Sequence, residues 1–174
     1  MPNRRSFLKA FIAACLLILL PLAHWHATSD KAENAVHHLV ILGDPHLPGR
    51  NIEQKAKAVA KINSWDDVEM VVAVGDICAE FGTDAEYAVA REFFGNLHKP
   101  FFPVTGNHDF YYQSPSGSKG RLIQGTQVSQ QEKLYRFRRT FGLSSHYYSK
   151  TVGQYLLVFL SADRSDYLAG ISDR

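Results

Sequence analysis

Three stretches decide the fold: Leu39-Val40-Ile41-Leu42-Gly43-Asp44-Pro45-His46, Val71-Val72-Ala73-Val74-Gly75-Asp76, and Phe101-Phe102-Pro103-Val104-Thr105-Gly106-Asn107-His108-Asp109. Each is a short apolar run that ends at or near a glycine and then presents polar side chains. Short, uninterrupted apolar runs of this length read as strands buried on both faces. Pro100 and Pro103 make the third run ragged.

The segments between them carry helical periods. Over residues 52–64, Ile52, Ala56, Val59, Ala60 and Ile62 fall near one face. Thr83-Asp84-Ala85-Glu86 fits a capping box, and the helix behind it is expected to turn Val89, Phe93 and Leu97 inward. Residues 113–129 hold Gly, Ser and Pro without a period and read as a surface loop. Ser129-Gln130-Gln131-Glu132 reads as a second capping box, with Leu134, Phe137 and Phe141 buried behind it and Arg136, Arg138 and Arg139 on a solvated face. Tyr147–Thr151 and Tyr155–Leu160 flank Gly153 as a hairpin. Strand–helix–strand–helix–strand order implies an α/β fold with a mainly parallel sheet, followed by antiparallel strands. Such sheets bind ligands beyond the carboxyl ends of their strands.

All three polar turns lie at that edge, so Asp44, His46, Asp76, Asn107, His108 and Asp109 are expected to converge. Carboxylate and amide oxygens mixed with imidazoles suit a first-row divalent or trivalent metal. A carboxylate on the central turn, Asp76, is placed to bridge two ions, and an ion pair activates water and clamps phosphoryl oxygens. A glycine before a ligand gives the backbone room for a sharp turn. Singly, an Asp or Asn after a strand is ordinary turn chemistry.

Asp44-x-His46, Gly75-Asp76 and Gly106-Asn107-His108-Asp109, in this order and each after a strand, resemble the calcineurin-like metallophosphoesterase superfamily. The resemblance runs from residue 38 to about 161. It implies an αββα sandwich holding two Fe, Mn or Zn ions at the sheet edge. It implies Asp44 and His46 on the first metal, Asp76 bridging, and Asn107 on the second. His108 would meet the phosphate and act as general acid. The implied reaction is hydrolysis of phosphate mono- or diesters by a hydroxide held on the metal pair.

The chain departs from that pattern in two places. The superfamily supplies further histidines downstream, one at a strand end and two in a Gly-His-x-His turn; after His108 this chain has only His146. The first metal would keep Asp44, His46 and Asp76, and the second only Asp76 and Asn107, so weak binding is expected there. The expectation is therefore a sandwich incomplete at its C-terminus, with impaired activity, or a metal-binding or interaction module whose second site has decayed. Many relatives also carry an acid three residues after the bridging Asp to hold the catalytic histidine. Here that position is Ala79, which leaves Asp109 or Glu80 for the part.

The 174 residues suffice for one domain, and 45% apolar content supports a packed core. Residues 1–27 read as a signal peptide, 28–36 as a linker and 37–174 as the partial domain. Asn3-Arg4-Arg5-Ser6-Phe7-Leu8-Lys9 resembles the twin-arginine export motif, which implies the export machinery as a partner and a periplasmic or extracellular destination. The uncharged run Ala10–Ala23 is shorter than the ~20 residues of a spanning helix; the membrane enters only if this segment is retained. Without Arg4, Arg5 and Lys9 the chain keeps 16 Lys/Arg against 17 Asp/Glu, a balance that gives no nucleic-acid footprint. The expected partner is a phosphate-ester substrate. With Cys15 removed, Cys78 stands alone and reads as a small buried thiol.

Overall fold

The computed structural model describes residues 35–114, 122–167 and 170–172. The signal-peptide expectation, most of the linker and part of the 113–129 loop lie outside these residues. Apart from Thr151, Val152 and Tyr155 in the last two strands, the groups described below belong to one compact unit, His37–Lys150 with Leu156–Arg174.

Its centre is a three-stranded parallel sheet in the order β1-β2-β3, with β1 His38–Leu42, β2 Val68–Val74 and β3 Phe101–Val104. Two crossover helices connect these strands: α1 (Ile52–Asn63) and α2 (Asp84–Phe94). After β3 come a single turn, α3 (Asn107–Phe110), and a short antiparallel pair, β4 (Tyr112–Gln113) with β5 (Ile123–Gln124). Then follow α4 (Gln127–Phe141) and a two-stranded sheet of β6 (Tyr147–Val152) and β7 (Tyr155–Leu160). This is a mixed α/β fold of the metallophosphoesterase type.

Strand alternation sorts the sheet into two faces. Leu42, Ala73 and Phe101 face the helices and join a core of Tyr87, Ala90, Phe94 and Phe137. Leu39, Ile41, Val72 and Val74 face the other way and line an open cleft with Leu156 and Val158 of β7. Ile41, Val74, Leu156 and Val158 are exposed there.

The capping box at Thr83 forms as expected: Thr83 Oγ1 accepts from the Glu86 amide, and Glu86 accepts from the Thr83 amide. The phase of the helix behind it differs from the sequence reading. Tyr87, Ala90 and Phe94 are its buried residues, with Phe93 and Leu97 packed at the margin. The Tyr87 hydroxyl finds a buried acceptor, so a polar-tipped residue points inward. Two further expectations are corrected. The 113–129 stretch contains β5 and the start of α4, and the cap of α4 is Thr126, whose hydroxyl accepts from the Ser129 amide. Of the arginines behind it, Arg136 and Arg139 pair with Asp84, and Arg136 also donates to the Gly82 carbonyl.

Candidate metal centre

The turns after β1 and β2 remain zipped together beyond their strands. The His46 amide donates to the Asp76 carbonyl at 2.8 Å, the Leu47 amide to the Ile77 carbonyl at 2.8 Å, and the Ala79 amide to the Leu47 carbonyl at 3.0 Å. This pairing lays His46 beside Asp76. The backbone there is held in an unfavourable region: φ is 39° at Asp44, 42° at His46 and 45° at Asp76. Non-glycine residues in the left-handed region cost ~1–3 kcal/mol each and persist where the surroundings over-determine them, often at functional sites. The turn after β3 approaches from the other side. A Cβ added to Gly106 would stand 2.2 Å from Asp76 Oδ1, so only glycine allows that carboxylate its place. Gly75 (φ 99°) packs against the backbone of Gly106.

Three side chains meet at this junction. The ligand atoms of His46, Asp76 and His108 all lie within 4.8 Å of one another. His46 Nε2 is 3.7 Å from Asp76 Oδ2, and the two imidazoles meet edge to face with centroids 4.9 Å apart. Asp76 is buried and both histidines are half-buried. The backbone amide of His108 donates to Asp76 Oδ1 at 2.9 Å, which ties the third turn to the second.

Asp44 and Asn107 line the same cleft as Asp76, a space of about 870 Å³, but Asp44 is exposed and stands outside the three-residue cluster. His108, expected at the phosphate and not among the ligands, is a member of that cluster.

Asp109 occupies a different position from the other expected residues. It lies fully buried beneath the turns. Its carboxylate accepts from the amides of Ile77 and Cys78 at 3.1 Å each, from the Gly106 amide at 2.8 Å and from the Tyr87 hydroxyl at 3.1 Å. One side chain therefore stitches the turns after β2 and β3 together and anchors them to α2. Burial pushes its carboxyl up to about 6, against the opposing pull of those backbone hydrogen bonds. The question of which acid steadies His108 has an answer in the main chain. His108 Nδ1 meets the Glu80 carbonyl at 3.2 Å, and His46 Nδ1 meets the Ala79 carbonyl at 3.3 Å.

Sequence reasoning missed Tyr87 and the two carbonyls. The ring of Tyr112 lies 5.1 Å from that of His108. Lys133, largely buried, donates to the Tyr112 carbonyl. A polar-tipped residue inside an apolar helix face was the available signal for Tyr87; backbone carbonyls leave none. Cys78 is buried as expected, its thiol donating to the His108 carbonyl and accepting from the Gly82 amide, both at 3.1 Å. Burial and the neighbouring Asp109 push that thiol far above its ordinary range.

Residues 37–160 match the family model of the calcineurin-like phosphoesterases. The chain belongs to the calcineurin-like phosphoesterase family. No curated protein matches it. The donors present fit the divalent metals that calcineurin-like phosphoesterases use: two imidazoles and a carboxylate converge on one point, with a second carboxylate and an amide in the same cleft. The strained backbone at Asp44, His46 and Asp76 supports the same reading.

Proposed function

We propose that this chain hydrolyses phosphate mono- or diesters with a pair of metal ions held where the turns after β1, β2 and β3 meet. One observation carries the reading: His46, Asp76 and His108 come from three separate turns, yet their ligand atoms share one small volume. Asp44, His46, Asp76 and Asn107 would hold the ions, with Asp76 between them. Bound metals would supply the Lewis acidity that activates water and neutralises phosphoryl oxygens.

The remaining work belongs to the chain. Because a carbonyl only accepts, His108 must carry its proton on Nδ1 toward Glu80. Nε2 is then the nitrogen that faces the substrate: in the doubly protonated ring it gives its proton to the departing ester oxygen, and the neutral ring left behind keeps its proton on Nδ1. Asp76 Oδ1, by accepting the His108 amide, fixes the backbone that carries this ring. The aliphatic sheet face behind Asp76 forms one wall of the cleft.

A second reading, metal binding without turnover, is favoured by the composition of the cluster. Among the described residues one group of three titratable ligands forms, and a pair of ions needs more. Incubation of the full chain with an aryl phosphate monoester or diester and Mn²⁺ separates the two. The first reading expects metal-dependent release of phenol, abolished by chelation and by Asp76→Asn. Metal uptake without phenol release supports the second. Export through the paired arginines Arg4 and Arg5 is part of the proposal, and the N-terminal sequence of the mature protein tests it.

A further inference from the structure

Two successive peptide groups in the turn after β2 share an arrangement that no sequence motif contains. The peptide joining Ala79 to Glu80 receives His46 Nδ1 on its carbonyl at 3.3 Å and donates its N–H to Glu86 Oε1 at 2.7 Å. The next peptide, Glu80 to Phe81, receives His108 Nδ1 on its carbonyl at 3.2 Å and donates its N–H to both Glu86 oxygens, each at 3.2 Å. In a planar trans peptide the N–H and C=O point in opposite directions. A carboxylate that pins two consecutive N–H groups therefore aims two consecutive carbonyls away from itself, and both meet an imidazole of the site. Each of those N–H bonds is charge-assisted and polarises its peptide, which makes the carbonyl on the far side a better acceptor. An accepting carbonyl requires the proton on Nδ1 and leaves the Nε2 lone pair for a metal or a substrate.

We propose that Glu86, which touches neither histidine, is a positioning residue for both, fixing ring orientation and tautomer of His46 and His108 through the two peptides. The proposal rests on the metal-centre reading above. The alternative is that Glu86 serves only the capping box of α2, where it accepts from the Thr83 amide and hydroxyl at 2.9 Å each.

Two variants separate these roles. Thr83→Val removes the hydroxyl of the cap and leaves the Glu80 and Phe81 bonds; Glu86→Ala removes both. Glu86→Gln keeps one accepting oxygen and serves where Glu86→Ala does not fold. The full chain and each variant are titrated with Mn²⁺ alone by calorimetry, and imidazole tautomers are read by nitrogen NMR without metal. Thr83→Val is expected to bind Mn²⁺ like the wild type and to keep Nδ1–H on both rings. Glu86→Ala is expected to bind about 10–100-fold more weakly, the usual cost of losing a partner behind a metal ligand, and to show mixed tautomers. Glu86→Gln should fall between them. The proposal is overturned if the Glu86 variants match Thr83→Val in both readouts. A wild-type chain that binds no Mn²⁺ defeats the metal-centre reading instead, and the tautomers still decide the role of Glu86.

Discussion

Replacing Gly106 by alanine is expected to disable the site by crowding one residue, Asp76. The backbone there has φ −105° and ψ −170°, an extended conformation open to any residue, so conformational strain plays no part. The new Cβ would stand 2.2 Å from Asp76 Oδ1 and 2.4 Å from the Asp76 amide nitrogen, where real Cβ contacts essentially never fall below 3.0 Å. The carboxylate oxygen must then retreat by at least 0.8 Å, the difference between 3.0 and 2.2 Å. That oxygen accepts the His108 amide at 2.9 Å, so the retreat breaks the bond between the second and third turns. Overpacking of this kind costs about 1–3 kcal/mol of stability. Misplacing a catalytic group by ~1 Å costs on the order of 100-fold in rate. Gly106→Ala should therefore melt a few degrees lower, bind Mn²⁺ at least about tenfold more weakly and lose about 100-fold in phosphoesterase turnover. Calorimetric titration, thermal unfolding in EDTA and the aryl phosphate assay measure the three effects. A Gly106→Ala chain that binds metal like the wild type would refute the reasoning, because the Asp76 carboxylate would not then be held against residue 106.

Other outcomes follow from the same geometry. The folded value of about 6 at Asp109 lies above its unfolded value, so between roughly pH 4 and 6 the folded chain holds the extra proton. Its contribution to stability is full below that window and is lost as pH rises through about 6; Asp109→Asn should flatten this slope in urea midpoints. An unchanged slope would contradict the burial argument. Tyr87→Phe removes the hydroxyl that bonds Asp109 Oδ1 at 3.1 Å and should lower stability by about 1.5–3 kcal/mol in denaturant unfolding, with no change in helix content. Burial of the Cys78 thiol predicts slow alkylation in the native chain and complete alkylation in guanidinium, read by the mass of the Cys78 peptide. Native labelling at the rate of a free thiol would refute the packing described here.

Much of the sheet and its edge was legible because buried parallel strands write themselves as apolar runs, and because Gly43, Gly75 and Gly106 mark where those runs turn. That alone places Asp44, His46, Asp76, Asn107 and His108 at one rim. Sequence could not separate the tight cluster of His46, Asp76 and His108 from Asp44, since a shift of a few ångströms within a turn changes no residue pattern. Nor could it tell that Asp109 lies beneath the site and not within it; that depends on three amides from two turns arriving at one carboxylate. The α2 phase was misread because Ala90 carries little hydrophobic signal and Tyr87 is drawn inward by Asp109. At α4, the Ser129–Glu132 pattern mimicked a capping box while Thr126 made the actual cap. The hold of Glu86 on the histidines passes through main-chain atoms, which every sequence shares.

Elemental analysis of Mn²⁺-loaded protein tests the centre most directly. Wild-type chain and Asp76→Ala are loaded, desalted and compared for bound metal. The geometry predicts retained metal in the wild type and none in Asp76→Ala. Equal metal content in both would show that the three turns do not meet around a cation.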